Sequence, residues 1–229
     1  MLKASFAFVS LMALAAAPAH ALAKRKDAAA EATAPAVNAG HYAPVNYDLT
    51  QDRENILVLD LSNGQRVQIR LMPQWAPEHV ARVKTLAQQG FYNNVAFHRV
   101  IDGFMAQTGD PTGTGQGGSE LPDLKAEFTP QPHLRGTVSM ARAATEDSAN
   151  SQFFIVFYPR FSLDKKYTVF GRVIDNMAAV DAIQRGEPPE NPTRIVQASL
   201  ASENKPVPAI TQPAAPAITA DDLNKPIGQ

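Results

Sequence analysis

Cysteine is absent from the 229-residue chain. That rules out disulfides, thiol catalysis, zinc sites with thiolate ligands and a lipid-modified amino-terminal cysteine. A surplus of either charge is also missing. The formal net charge is −1, so nothing in the overall balance draws the protein to nucleic acid or to acidic membranes. The five histidines (His20, His41, His79, His98 and His133) show no metal-ligand spacing. His98 reads as a buried structural histidine. The glycine-rich run Gly113-Thr114-Gly115-Gln116-Gly117-Gly118 lacks the Lys-Ser/Thr that a phosphate loop needs, and no clear helix follows it, so nucleotide binding is set aside. Neither Ser139 nor Ser151 lies in a nucleophile-elbow pattern. No internal repeat is present.

What the chain does have begins at its amino terminus. Met1-Leu2-Lys3 is a short basic start, an apolar run follows from Ala4 to Ala17, and Ala19-His20-Ala21 offers small residues for cleavage. This is the layout of a secretory signal peptide over 1–21, with Ala23 a second possible cut. The run is shorter than the roughly 20 residues of a membrane span, and no later segment is long and apolar enough for one. Residues 22–47 are rich in Ala and Pro and read as a linker. Residues 202–229, with Pro206, Pro208, Pro213 and Pro216, read as a flexible tail that cannot bury enough surface to offset its ordering entropy. A single folded unit is expected over 48–201.

Within that unit, Asn55 to Leu61 and Gln65 to Leu71 flank Ser62-Asn63-Gly64, a tight hairpin turn. Val67, Ile69 and Leu71 alternate with Arg66, Gln68 and Arg70, predicting a strand with one wet face. Pro77 opens a helix with Val80, Val83 and Ala87 on one side and Gly90 as its left-handed cap. A second helix is predicted from Asp175 as N-cap, through Met177, Val180 and Ile183, to Gly186. Further strands are predicted at Val95–Ile101, Met105–Thr108, Thr137–Arg142, Gln152–Phe157, Thr168–Val173 and Arg194–Leu200. Eight strands and two short helices make a mainly β, antiparallel fold. The pattern leaves sandwich and barrel open.

The chemistry concentrates in three stretches. Phe97-His98-Arg99-Val100-Ile101-Asp102-Gly103-Phe104-Met105-Ala106-Gln107 crowds a guanidinium, a phenyl ring, a thioether and a carboxamide together. Strand alternation sends Phe97, Arg99 and Ile101 to one side, and an arginine among large apolar residues needs a partner. A structural ion pair or a rim arginine would meet that need equally well. The second stretch is Ser139-Met140-Ala141-Arg142, continuing through Asn150-Ser151-Gln152-Phe153-Phe154-Ile155; Gln152 and Phe154 share one face of its strand, where an ordinary core is the plainer account. Phe161-Ser162-Leu163-Asp164, continuing to Tyr167 and Gly171, is a polar loop entering a strand and says little alone.

Together, in this order, these stretches resemble the cyclophilin family over about Asn55 to Leu200. The resemblance implies a closed eight-stranded antiparallel barrel capped by two α-helices, with an external groove for an extended Xaa-Pro segment; the Gly113–Gly118 run is then read as a flexible loop beside that groove. It implies peptidyl-prolyl cis/trans isomerase activity with Arg99 as the catalytic group. Phe104, Met105, Phe154 and Leu163 would form the proline-ring pocket, with Tyr167 where many members have histidine. Gln107 and Gln152 would flank the substrate backbone, and Ala141 and Arg142 would supply a strand edge for the residue before proline. Ser162 stands where many relatives place tryptophan, with Phe161 beside it, which bears on cyclosporin binding more than on catalysis. The Ala141-Arg142 pair and the short connection from Gly109 to Phe128 look bacterial, so a periplasmic foldase for exported proteins is expected. It is expected to act as a monomer without cofactor, metal, nucleic acid or, once the leader is cut, membrane. The competing reading is a non-catalytic proline-peptide binding module or holdase. The enzyme reading requires the Arg99 guanidinium to face the apolar hollow and not to be locked against an acid.

Overall fold

The computed structural model describes residues 42–209. The leader 1–21, the linker up to residue 41 and the tail from residue 210 lie outside them. Among the described residues nine strands and two α-helices follow in order: β1 (Ile56–Leu61), β2 (Arg66–Leu71), α1 (Pro77–Gln88), β3 (Val95–Ala96), β4 (Arg99–Ile101), β5 (Met105–Thr108), β6 (Thr137–Met140), β7 (Phe153–Val156), β8 (Val169–Asp175), α2 (Met177–Asp181) and β9 (Arg194–Leu200). They form one antiparallel sheet in the order β3-β9-β1-β2-β8-β6-β7-β5-β4.

This corrects the closed eight-stranded barrel expected above. The predicted strand Val95–Ile101 is broken at Phe97-His98 into β3 and β4, which become the two edges of a curled half-barrel and do not pair with each other. The break also resets the alternation. Phe97 turns into the main core with Val100, whereas Arg99 and Ile101 are only partly buried and Ile101 packs with a different cluster. Phe97 and Arg99 therefore do not share a side.

The β1–β2 hairpin forms as its Asn-Gly pair predicts. Gly64 has φ +84°, and the Leu61 and Gly64 amides donate to Gln65 and Leu61 carbonyls at 2.8 and 2.9 Å. Leu57, Leu59, Val67 and Ile69 point into the core that α1 covers with Val80, Val83, Leu86 and Ala87. Helix α1 has no side-chain cap at Ala76; instead Glu127 accepts the Glu78 and His79 amides at 3.3 and 3.1 Å. Gly90, at φ +72°, ends it as expected.

Three expectations fail locally. Arg70 is not on a wet face but 1% exposed, because residues 46–52 lie over it and offer it four carbonyls. The N-cap of α2 is Asn176, which accepts the Ala179 amide, and not Asp175, which stays in β8. Helix α2 also stops at Asp181. Gly186 does not cap it but exchanges two backbone hydrogen bonds with Val100 on the free edge of β4, at 2.8 and 2.9 Å.

Strands β4 to β7 position the site. Their inward residues, such as Val100, Ala106, Phe153 and Ile155, enter the main core. Their outward residues Met105, Phe154 and Val156 make a second apolar cluster, with Ile101, Phe104, Ala141, Leu163 and Tyr167 packed against it. A sheet apolar on both faces, with one face roofed only in part, leaves an apolar groove outside.

Candidate active site

Pairing register assembles the site. Arg99 lies opposite Gln107, Gln107 opposite Phe154, and Phe154 opposite Ser139, one row across four strands on the outer face. The next row pairs Ile101 with Met105 and Met105 with Val156. Beside them opens a hollow of about 270 Å³ lined by Arg99, Phe104, Met105, Gln107, Ala141, Arg142, Phe154, Leu163 and Tyr167. Nine of the ten residues singled out in the sequence thus meet at one cavity. The tenth, Gln152, lies just before β7. It accepts from Gln107 Nε2 at 2.9 Å and donates to the Gly115 and Gly117 carbonyls at 3.1 and 2.8 Å. With Gln107, Ala141 and Arg142 it lines an adjoining depression of about 440 Å³.

The hollow's walls are aromatic. Tyr167 meets Phe154 edge-on at 5.7 Å, and Arg142 lies 4.7 Å over the Tyr167 ring. Arg160 lies 4.7 Å over the Phe104 ring. Phe161 is 63% exposed and does not line the hollow, so it does not take the place of a pocket aromatic. The strand edge expected through Arg142 ends at Met140. The Ala141 amide donates to the Gln152 carbonyl at 2.9 Å, and the Arg142 guanidinium is spent on the carbonyls of Lys166, Ala143 and Ala144.

Arg99 lines the hollow and also has an acidic neighbour. Its Nε donates to Glu187 Oε2 at 2.8 Å, with the side chains 43% and 50% exposed. An ion pair this exposed is worth about 0–1 kcal/mol and is screened by salt, so it does not lock the guanidinium. Glu187 was not singled out from the sequence. The only signal was that Arg99 needed a partner; nothing local places a glutamate 88 positions later beside it.

Beneath Phe154 lies a network that sequence reading also missed. The buried His133 stacks on Phe154 at 6.2 Å, its Nδ1 is 2.8 Å from Asp164 Oδ1, and its Nε2 is 2.9 Å from Ser139 Oγ. Serine, histidine and aspartate in that relation look like a hydrolytic triad. Ser139 is 0% exposed, however, and cannot reach a substrate. Asp164 also accepts the His133 amide at 2.8 Å, so the network ties the turn carrying Leu163 to the floor of the hollow. Burial holds the His133 imidazole below its ordinary pKa, with Asp164 pulling the other way.

The glycine run is a loop organised around an anion of the protein's own, not one built for phosphate. Asp110, fully buried, accepts the Thr112, Gly115 and Gly117 amides at 2.8, 2.6 and 3.1 Å, and the Thr112 hydroxyl at 2.7 Å. Burial opposes its charge, but those bonds together prevail and bring the carboxyl down to about 2. A Cβ on Gly117 would lie 2.2 Å from Asp110 Oδ1, so this position has no room for a side chain. His98, 6% exposed, lies under the loop; burial also lowers its pKa.

Several known proteins are similar to this chain. The family model described as cyclophilin type peptidyl-prolyl cis-trans isomerase/CLD matches residues 56–200. A probable peptidyl-prolyl cis-trans isomerase of Brucella suis is 46% identical over 170 residues, covering 67% of this chain and 86% of its own. Peptidyl-prolyl cis-trans isomerase B of Bacillus subtilis is 40% identical over 128 residues, covering 56% and 89%. Among solved structures, a cyclophilin from Hirschia baltica superposes with a TM-score of 0.61 at 29% identity, covering 68% of this chain and 77% of that one. A cyclophilin-type isomerase from Cryptosporidium parvum, crystallised in the presence of the dipeptide Ala-Pro, gives 0.59 at 28% identity, covering 63% and 98%.

Proposed function

The chain belongs to the cyclophilin-type peptidyl-prolyl cis/trans isomerases, and from that membership we propose that Arg99 is its catalytic group and the 270 Å³ hollow its proline seat. The protein is a peptidyl-prolyl isomerase; the assignment of its residues is our reading. One observation carries it: Arg99, Gln107 and Phe154 form a single row on the outer face, at the lip of an apolar cavity.

The chemistry asks little else. An Xaa-Pro amide turns slowly because its partial double bond sets a barrier of about 20 kcal/mol. No bond is made or broken, so the enzyme has only to bind the twisted amide better than either planar form. Twisting localises a lone pair on the prolyl nitrogen. A guanidinium donating to that nitrogen, while the ring rests against Phe104, Met105, Phe154 and Leu163, favours the twisted state. Gln107, half-buried and tied to Gln152, would hold the substrate backbone. Lowering the barrier by about 7 kcal/mol gives roughly a 10⁵-fold acceleration.

Arg99→Ala is expected to keep its fold and lose about a hundredfold in kcat/KM on a short Xaa-Pro peptide. Wild-type activity in that variant would remove Arg99 from the mechanism. The expected site of action is the periplasm, on exported polypeptides whose folding waits for proline; the leader pattern over 1–21 supports export, and the bacterial look of Ala141-Arg142 and of the short Gly109 to Phe128 connection supports the compartment. Mass spectrometry of the secreted chain should find a new amino terminus after Ala21 or Ala23, and an intact Met1 in the membrane fraction would refute it.

A further inference from the structure

Arg99 stands on β4, an edge strand, and is 43% exposed. A long side chain there has many rotamers, of which only some bring its Nη groups over the hollow. Something has to choose among them. The segment Arg185-Gly186-Glu187 runs antiparallel along the free edge of β4 and is fastened at both ends of that contact. Gly186 and Val100 exchange both backbone hydrogen bonds, at 2.8 and 2.9 Å. One step along, Arg185 Nε donates to Asp102 Oδ1 at 3.2 Å, and the Arg185 guanidinium lies 4.3 Å over Phe157 while donating to the Asp181 and Ile183 carbonyls at 2.6 Å each. One step the other way, Glu187 meets Arg99.

The mount sits against a tight turn. Gly186 has φ +146°, and a Cβ there would fall 2.4 Å from Pro189 Cα and 2.7 Å from Pro189 N, so the chain doubles back on itself immediately after Glu187. The backbones carrying the two partners are thus bonded to one another through their neighbours, which sets this pair apart from an incidental one on two mobile side chains. The carboxylate occupies Nε and leaves both Nη groups to donate elsewhere.

We propose that Glu187 is a positioning residue, which holds the Arg99 guanidinium over the proline hollow from a backbone clamp on the edge of β4. The inference rests on Arg99 acting on the substrate. It predicts a modest effect, since an exposed pair couples weakly: about a two- to five-fold fall in kcat for Glu187→Ala, with KM little moved. Glu187→Gln, which keeps an oxygen for Nε, should recover part of the loss.

The experiment is a double-mutant cycle with Glu187→Ala, Glu187→Gln, Arg99→Lys and Arg99→Ala, read by peptide isomerisation and thermal midpoint. The Arg99 Nε–Hε NMR signal in the wild type and the Glu187 variants supplies a third readout. Support is a kcat loss in Glu187→Ala that vanishes in the Arg99→Lys background, an unchanged midpoint, and an Nε–Hε signal that shifts and exchanges faster with water. The same kcat loss in both backgrounds overturns the inference, as does an unchanged kcat. If Arg99→Ala is inactive while Glu187→Ala is fully active, only the positioning role falls. If Arg99→Ala is itself fully active, the catalytic assignment falls first.

Discussion

Phe154 and Phe104 line the same hollow but are held differently, and that difference separates binding from stability. Phe154 is 5% exposed, stacked on His133, edge-on to Tyr167 and seated in β7. Phe104 is half-buried, in the turn between β4 and β5, with Arg160 over its ring. Truncating a packed phenylalanine forfeits its contacts and leaves a void, so Phe154→Ala should lose about 3 kcal/mol of folding stability as well as activity. Phe104→Ala should raise KM for a proline peptide while the thermal midpoint barely moves. Equal midpoint losses in the two variants would refute this division. At this scale the sequence was informative: alternation alone put Gln152 and Phe154 on one face, and three separated stretches supplied all nine residues lining the hollow. Glu187, His133 and Asp164 were illegible because each reaches the site from a loop, and no periodicity reports where a loop returns.

At the scale of elements, the predicted segments overlay every strand and both α-helices among the described residues, though the caps of α2 were misplaced, and most of the errors share one cause. Val95–Ile101 broke in two, Arg70 went dry, and α2 ended early because another part of the chain met each backbone or side chain. Those long-range partners are invisible to local pattern. Arg70 shows what such a partner is worth. Its Nε donates to Asn46, Nη1 to Gln51 and Asp52, and Nη2 to Asp48, all through carbonyls at 2.6 to 3.0 Å. Next to it, Ala43 and Val45 pack against Met72, Val169 and the sole tryptophan, Trp75. Arg70→Ala would strand those carbonyls and cost about 2–4 kcal/mol. Arg70→Lys should recover only part, since one ammonium cannot span four acceptors. The segment 42–52 should become the first site of proteolysis, and Trp75 emission should move to longer wavelength. A variant with wild-type midpoint and cleavage pattern would mean that the segment is held by its apolar contacts alone.

Across the whole molecule, buried ionisable groups set how stability depends on pH. His79, His98 and His133 are each at most 6% exposed, and for each burial pushes the imidazole below its ordinary value of 6.5. Glu127 at 2.6 Å from His79 and Asp164 at 2.8 Å from His133 pull upward without prevailing. A histidine depressed in the folded state is protonated first in the unfolded chain, so its contribution is complete above pH 6.5 and drains away as pH falls below that. Asp110 acts in a lower window. Its carboxyl, about 2 when folded against an ordinary 3.8, contributes fully above 3.8 and loses that contribution between 3.8 and 2. Urea midpoints measured from pH 8 to pH 3 should therefore hold above about 6.5, decline below it, and steepen again below 4. His79→Gln and His133→Gln should each flatten the first decline, and Asp110→Asn the second. A wild-type midpoint that rises as pH falls from 7 to 5 would show that the carboxylate partners, not burial, govern the histidines. The network under Phe154 would then hold an imidazolium in place of the neutral ring.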